Sequence, residues 1–115
     1  MTTLSKDLIA ASSIPIILAV LNQGESYGYE IIQKVKETSK GMLQFSDGTL
    51  YPILRKLEDK ELIVSEWRVA DNEKRRRYYR ITPKGYDHFK TEQTALQLIN
   101  QLIIQLWNQH KPDLA

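Results

Sequence analysis

A run of four consecutive cations at residues 74–77 is the feature of this 115-residue sequence that points most directly to chemistry. The run lies in the loop expected between two strand patterns over 62–69 and 78–82, which are rich in β-branched and aromatic residues. Neighbouring like charges repel, and a polyanion such as the phosphate backbone of DNA relieves that repulsion. Alone, such a run is more often a solvated loop, so the preceding elements decide its interpretation. The four cations are Lys74, Arg75, Arg76 and Arg77, and Arg68 and Arg80 lie on the same hairpin.

The segment before this hairpin predicts a helix-turn-helix pair. A helix pattern over 27–38 and another that begins at Ser46 place their apolar residues at the same three-and-four spacing. Ser46 is a favourable N-cap for the second helix, which in this motif enters the major groove and contacts bases with its N-terminal residues. Tyr51 could equally be a structural residue that packs on the following hairpin, the wing. The candidate DNA-contacting residues of the helix are Ser46, Asp47, Thr49, Tyr51, Arg55 and Lys56.

Two further helices are predicted on either side of this pair. The first covers about 5–21, with Ser5 available as its N-cap. It contains Pro15, which predicts either a kink or a separate N-terminal arm. The last opens at Thr82, an N-cap followed by proline, and is expected to reach about Gln109. A short, weakly pairing strand is predicted over 42–45. Gly24 closes the first helix and is free to adopt a positive φ.

The last helix carries more apolar surface than the rest of the chain can cover. Three short helices and a hairpin form a small core, so an apolar helix face that remains exposed predicts contact with another molecule. We expect this face to pack on a second copy of the chain, which makes the functional unit a homodimer. The predicted dimerisation residues are Leu96, Leu98, Ile99, Leu102, Ile103 and Leu106.

Composition excludes several classes of function. The 16 basic and 14 acidic residues give a net charge of only +2, which excludes a uniformly basic nucleic-acid coat. The sequence has no cysteine, and this excludes disulfides, thiolate zinc sites and cysteine nucleophiles. The longest apolar run, 14–21, is far shorter than the roughly 20 residues of a membrane span, and no charged leader precedes it. We therefore expect a cytoplasmic protein that does not enter a membrane.

No residue pattern predicts catalysis or a cofactor. His88 and His110 are expected to be isolated, without the spacing of a metal site. Glu58, Asp59 and Glu61 look like a solvated turn, since no apolar surroundings would raise the pKa of a carboxyl there. We predict no catalytic residue, no metal ligand and no cofactor, and hence a binding protein.

Three ordered motifs, at 27–31, 48–58 and 77–85, resemble those of the PadR-like transcriptional regulators. The resemblance spans about residues 8 to 108. It implies a winged-helix repressor of the short subfamily, whose single C-terminal helix and first helix form the dimer. It also implies binding to a double-stranded DNA operator with approximate dyad symmetry. The alternative is a winged helix that serves only as a protein-interaction or dimerisation module, without operator binding.

The resemblance further implies a small hydrophobic or aromatic effector, because some family members release DNA when such a compound occupies a pocket at the dimer interface. The tryptophan with which the multidrug-sensing members stack flat drugs is matched here by Leu96. The alternative is that the residues concerned only fill the interface. The implied pocket residues are Leu8, Ala11, Pro15, Leu96, Ile99, Asn100 and Ile103.

Together these patterns predict a mainly α, α+β fold: a winged helix-turn-helix with a two-stranded wing and a long C-terminal dimerisation helix. The expected division is a DNA-binding domain over 1–83 and a dimerisation helix over 84–110 that packs with the first helix. Residues 111–115 are expected to be a disordered tail.

Overall fold

The computed structural model describes residues 4–69 and 71–109, which form four helices and a three-stranded antiparallel sheet. The mainly helical fold, the hairpin and the long last helix are as predicted. The predicted tail over 111–115 lies outside the described residues. The elements are α1 (Lys6–Asn22), β1 (Ser26–Tyr27), α2 (Gly28–Thr38), α3 (Asp47–Asp59), β2 (Ile63–Val69), β3 (Arg75–Ile81) and α4 (Pro83–Gln109).

Hydroxyl side chains start three of the helices, as the sequence predicted. The Ser5 hydroxyl accepts a hydrogen bond from the Leu8 N–H, and the Ser46 hydroxyl accepts one from the Thr49 N–H. At α4 the Thr82 hydroxyl accepts from the N–H of Gly85 at 3.0 Å. These contacts satisfy amide groups that have no partner within the first turn of a helix.

Helix α1 runs without interruption through Pro15. Of the two alternatives that the sequence left open, a separate N-terminal arm is therefore wrong. The residues on both sides of the proline contribute to one helix, because the apolar residues before it, such as Ile9 and Ile14, pack against the same core as those after it. Burial of this shared face stabilises the helix despite the hydrogen bond that proline removes.

One apolar core joins the first three helices to the base of the sheet. Its buried side chains recur along the helices at intervals of three or four residues. Ile63 and Tyr79 contribute to the core from the two long strands. The core therefore fixes α2, α3 and the wing relative to one another. The largest fully buried side chains are Ile17, Leu18, Leu21, Ile31, Leu50, Leu54, Leu57 and Ile63.

The wing strands are longer than predicted on the cationic side. Strand β3 begins at Arg75, so three of the four cations lie in the strand and not in the connecting loop. The antiparallel register places Arg75 opposite Val69 and Arg77 opposite Trp67. Long arginine side chains can lie over an aromatic residue of the opposite strand, and this favours the extended conformation in spite of their charge.

The third strand is β1, and it lies at a different place in the sequence from the weak strand predicted over 42–45. Ser26 and Tyr27 pair with Tyr79 and Tyr78 of β3. The predicted segment is irregular because the Ser39 hydroxyl contacts both backbone groups of Leu43, at 3.0 Å from its nitrogen and 3.3 Å from its oxygen. These contacts replace the hydrogen bonds that a neighbouring strand would provide.

In the described part of the chain, the buried and half-buried residues of helix α4 all lie between its start and Glu92. A Cβ atom at Gly85 would overlap the Leu62 carbonyl oxygen, so glycine is required at this contact. Phe89 packs against the core and α1 contacts α4, whereas Leu98 and Ile103 are more than half exposed. The described chain is accordingly elongated, with extents of 66 × 31 × 20 Å. Within these residues no helix combines the length and the apolar character that crossing a membrane requires.

Candidate nucleic-acid interface

The exposed face of α3 presents polar side chains at its start and cations one turn later. Asp47, Thr49, Arg55 and Lys56 are all exposed, whereas the apolar stripe of the same helix is buried. The hydroxyls of Ser46 and Thr49 lie 3.1 Å apart, with Ser46 as donor. Ser46 is thus occupied as the N-cap, while the Thr49 hydroxyl keeps its own hydrogen available for an outside acceptor.

Tyr51 connects α3 to the start of α2. A Cβ atom at Gly28 would overlap the Tyr51 hydroxyl, so the glycine creates the space in which the phenol lies. Tyr51 nevertheless remains 45% exposed, so it can both pack inside the molecule and contact a ligand.

A cleft of about 510 Å³ brings the predicted wing cations together with Tyr51 of α3. Helix α2 contributes the two residues at its N-terminus, and the wing contributes the opposite wall. The cleft combines positive charge with aromatic rings, which is the composition that binds phosphate groups and the sugars or bases attached to them. Its lining residues are Tyr27, Gly28, Tyr29, Tyr51, Trp67, Lys74, Arg75, Arg76, Arg77 and Tyr79.

Aromatic rings hold the wing arginines in place. The Arg75 guanidinium lies 5.0 Å from the centre of the Trp67 ring, and the Arg76 guanidinium lies 4.5 Å from that of Tyr27. Such contacts restrict a long side chain without neutralising its charge. Within the described residues neither arginine forms an ion pair. Their charge is therefore available to an external anion.

Arg68 differs from these two arginines because carboxylates surround it. Its guanidinium donates to both carboxylate oxygens of Glu25, at 2.6 and 2.8 Å, and also to Glu66. It lies 4.7 Å from the centre of the Tyr78 ring. The hydrogen bonds from Arg68 lower the pKa of the Glu25 carboxyl, and those to Glu25 and Glu66 raise the pKa of Arg68. Arg68 thus joins the wing to the turn between α1 and α2.

Arg77 is also held by a carboxylate, although it was predicted to contact DNA from the tip. Its guanidinium donates to Ser65 and to Glu58, which lies in the last turn of α3. The prediction that Glu58 belongs to a solvated turn is therefore wrong, because this carboxylate is partly buried between α3 and the wing. Beneath this contact, burial raises the pKa of the Tyr79 hydroxyl.

Residues 17–91 match the Transcriptional regulator PadR-like family. The chain belongs to that family. The match covers the helix-turn-helix, the wing and the first part of α4, so the recognised region is the one that carries the cationic cleft.

Individual relatives agree with the family match. The Transcriptional regulator Rv3488 of Mycobacterium tuberculosis is 44% identical over 62 residues, which are 54% of this chain and 57% of the relative. The structure of a transcriptional regulator from Clostridium thermocellum, Cth-833, superposes with a TM-score of 0.80 at 32% identity, over 90% of this chain and 100% of the other. A PadR family transcription regulator from Clostridium difficile gives a TM-score of 0.73 at 28% identity, covering 83% and 97%.

The Glu25–Arg68 contact of this PadR-like regulator leads to a pH prediction. The midpoint at which Glu25 protonates should lie below its ordinary value, and Arg68→Ala should return it towards that value. Since the pKa is lower in the folded chain, the contact stabilises the fold above the unfolded-state pKa, and this contribution is lost as pH falls through the folded-state pKa. NMR titration of the Glu25 side-chain carboxyl measures the midpoint directly. An identical midpoint in wild type and Arg68→Ala would contradict this account.

The effector and dimerisation residues implied by the sequence lie on α1 and α4 and not in the cationic cleft. Leu8 and Ala11 are exposed on α1, and Pro15 is half-buried. The residues of α4 follow two exposed stripes of one helix, and their fractional exposures range from 48% to 61% for the leucines and isoleucines concerned. These α4 residues are Leu96, Leu98, Ile99, Asn100, Leu102, Ile103 and Leu106.

His88 is not isolated, in contrast to the prediction. Glu92 lies four residues later, and its carboxylate is 3.5 Å from the His88 ring nitrogen. This is the spacing at which side chains on one helix face meet. Two groups do not make a metal site, and within the described residues no cluster of three or more His, Asp or Glu could hold a metal ion. His110 lies outside those residues.

Sequence reasoning missed the aromatic side chains and the carboxylates that organise the arginines. Trp67 was assigned to a strand without a role, although its register opposite Arg77 brings it among the cations. A second strand predicted to begin at residue 75, directly after the turn, would have placed Trp67 opposite Arg77. Glu25 has no such signal, because 43 residues separate it from Arg68 in the sequence.

Proposed function

We propose that this PadR-like chain acts as a homodimer that binds a double-stranded DNA operator of approximate dyad symmetry and represses transcription there. In this proposal α3 enters the major groove, and the wing lies along the adjacent phosphates. The proposal involves no catalytic step, no metal and no cofactor. Its setting is the cytoplasm.

The observation that carries the proposal is the shared cleft between α3 and the wing. Arg75 and Arg76 keep their charge free of ion pairs within the described residues, and Tyr51 of α3 faces the same cleft. A duplex that contacts α3 therefore brings its backbone close to these arginines. Phosphate contacts of this kind supply most of the affinity and its dependence on salt.

The exposed residues of α3 are suited to reading bases. Arg55 can donate two hydrogen bonds to guanine. The Thr49 hydroxyl can bond to a donor or an acceptor on a base edge, or donate to a phosphate. Asp47 lies in the first turn of the helix, where its carboxylate is stabilised by the helix dipole and can accept from cytosine. Lys56 and Lys74 provide further charge for phosphates. In this scheme the α3 contacts provide the sequence preference and the wing contacts provide the register.

The exposed apolar stripes of α4 support the dimer. The α3 helices of the two subunits must lie about one helical turn of DNA apart, roughly 34 Å, to occupy a site with dyad symmetry. A pair of α4 helices packed through these stripes would set that distance and bury the apolar surface. Residues 1–83 then form the DNA-binding unit, and residues 84–110 form the dimerisation helix that packs with α1.

Effector control is part of the same proposal. Leu8 on α1 and Ile99 on α4 are each 55% exposed, so side chains of the implied pocket are free to line an interface cavity. A small hydrophobic or aromatic compound there shifts DNA binding only if it binds two dimer shapes with different affinity. Leu96 replaces the stacking tryptophan of the multidrug-sensing relatives, and so contact with aliphatic side chains must take over from ring stacking.

Selection of bound fragments from genomic DNA with the purified chain tests the proposal. We expect enrichment of a site with two similar half-sites whose centres are about 34 Å apart. Binding to that site should weaken steeply as salt rises. The competing function, a winged helix that only mediates protein contacts, predicts no enriched sequence and no retention of duplex DNA at any salt concentration.

A further inference from the structure

Glu58 closes a ring of hydrogen bonds that joins α3 to both strands of the wing. The Ser65 hydroxyl on β2 donates to the Glu58 carboxylate at 2.8 Å. Arg77 on β3 donates from Nε to the Ser65 hydroxyl at 2.8 Å, and from Nη2 to the two Glu58 oxygens at 3.2 and 3.3 Å. The three residues therefore connect the C-terminal end of α3, the centre of β2 and the centre of β3.

The ring is more restrictive than a surface ion pair. The side chains of Arg77 and Glu58 are 40% and 31% exposed, and an isolated pair with such exposure would contribute little to stability. Here Ser65 acts as donor and acceptor at once, so each of the three groups fixes the position of the other two. Arg77 also lies 5.8 Å from the ring centres of both Trp67 and Tyr79. The guanidinium therefore lies among four side chains, those of Glu58, Ser65, Trp67 and Tyr79.

The position of this carboxylate is unfavourable for DNA binding if charge alone is considered. Glu58 lies in a hollow with Tyr51 and Arg55, beside the proposed contact face. A negative charge there repels phosphates and offsets the positive charge of Arg77. On electrostatic grounds alone, its removal should strengthen binding to any DNA. A geometric role is the alternative explanation for a carboxylate at this place.

We propose that Glu58 is a positioning residue that, through Ser65 and Arg77, sets the angle of the wing relative to α3. This inference rests on the proposed function, since it concerns how two parts of one DNA-binding surface are aligned. Arg77 then makes contacts within the protein and does not contact a phosphate. Arg75 lies two residues earlier on the same face of β3, and both arginines lie against Trp67. The position of Arg77 therefore also determines the position of Arg75.

Specific binding requires this alignment, whereas non-specific binding does not. At an operator, α3 must reach base edges while Arg75 and Arg76 reach phosphates, so an error in the wing angle loses one set of contacts. On random DNA the protein uses its charge without a fixed register. Loss of a positioning residue should therefore lower the ratio of specific to non-specific affinity without reducing the number of phosphates contacted.

Glu58→Ala and Asp59→Ala form a matched pair for the test. Both remove one carboxylate, the two residues are adjacent, and they border the same hollow. Asp59 is exposed and forms no ion pair in the described part of the chain. For the 115-residue chain we expect Glu58→Ala to lower operator affinity about tenfold. The variant should keep the salt slope, and its affinity for random duplex DNA should be equal or higher. Asp59→Ala should lower neither affinity.

Two milder variants keep the test decisive if Glu58→Ala reduces the fold's stability. Ser65→Ala removes one hydroxyl and no charge, and it should lower operator affinity in the same direction by a smaller factor. Glu58→Gln keeps an oxygen that accepts from Ser65 and Arg77, and it should recover part of the loss. Combined Glu58→Ala and Ser65→Ala should show less than the sum of the two single effects, since both open one ring.

The outcomes separate this inference from the function on which it rests. The positioning role is overturned if the wild type binds the operator and Glu58→Ala or Ser65→Ala binds it at least as tightly as Asp59→Ala does. A salt slope that falls by about one unit for each Arg77 removed in Arg77→Ala assigns that residue to phosphate contact and also overturns it. Failure of the wild-type protein to bind any duplex overturns the proposed function itself.

Discussion

Replacing Arg75 and Arg76 together by alanine is expected to remove about half of the salt dependence of operator binding. Both arginines line the cleft shared with α3, and both keep their charge free of ion pairs among the described residues. In the proposed dimer, the variant lacks four cations that can contact phosphates. The change should therefore act on the electrostatic part of the affinity, which is common to all DNA sequences.

The size of the effect follows from counterion release. A dimer that neutralises about eight phosphates has a slope of log K against log salt of about −7, and its affinity falls about 10⁴-fold between 50 and 200 mM salt. Without four of those contacts the slope becomes about −3.5, and the same change in salt lowers affinity only about 10²-fold. Fluorescence anisotropy with a labelled operator at several salt concentrations gives both quantities.

Lys6→Ala with Lys90→Ala is the matched control for charge. These two exposed lysines lie on α1 and α4, so the variant loses the same number of cations per dimer away from the cleft. Its salt slope should stay near that of the wild type. The arginine variant should remain folded, because the lost cation–π contacts are worth about 0.5–1 kcal/mol each at exposed sites. An unchanged slope in the arginine variant would remove the wing from DNA binding.

The helices of this fold could be predicted from the sequence because their signals are local. Ser5, Ser46 and Thr82 were identified as N-caps from their types and positions, and each hydroxyl accepts the expected backbone hydrogen bond. The apolar spacing in α2 and α3 likewise identified the faces that form the core. Such patterns depend on residues three or four positions apart, and these can be recognised in the sequence without knowledge of the fold.

Contacts between distant segments were not predictable in the same way. Strand β1 has only two residues, and no period can be recognised in so short a segment. The start of β3 was placed too late because a run of cations indicates a loop when its neighbours across the sheet are unknown. With Trp67 opposite Arg77 and Glu58 nearby, the same cations are stabilised in a strand. Local propensity was overruled here by tertiary contacts.

The candidate site shows the same division. Residue type and motif order identified α3 and the wing cations as the surface to examine, and the structure brings Tyr51 together with all four cations of 74–77 in one cleft. What differs between the arginines depends on partners that lie far away in the sequence. Arg68 meets Glu25 and Arg77 meets Glu58, whereas Arg75 and Arg76 keep aromatic neighbours. Charge counts along the chain cannot make this distinction.

A double charge substitution on α4, Ile99→Glu with Ile103→Glu, is expected to produce a folded monomer that loses operator binding. The two side chains are 55% and 58% exposed in the single chain, so their replacement removes little internal packing. In a dimer they would be buried, and unpaired carboxylates are strongly unfavourable in an apolar interface. Analytical ultracentrifugation should show the wild type at twice the mass of one chain and the variant at the mass of one chain.

The loss of DNA binding should exceed what any single contact could explain. When one half of a dimer is bound, the other half meets its half-site at a high effective concentration, which raises affinity by about 10²–10⁴-fold. A monomer forfeits this gain, so operator affinity should fall by that factor while weak binding to one half-site persists. Gln97→Glu with Gln101→Glu adds the same charges to the opposite side of α4 and should leave a dimer. A wild-type protein that is monomeric at micromolar concentration, or a monomeric variant with full operator affinity, would contradict the dimeric mode of recognition, because each subunit would then suffice to read the site.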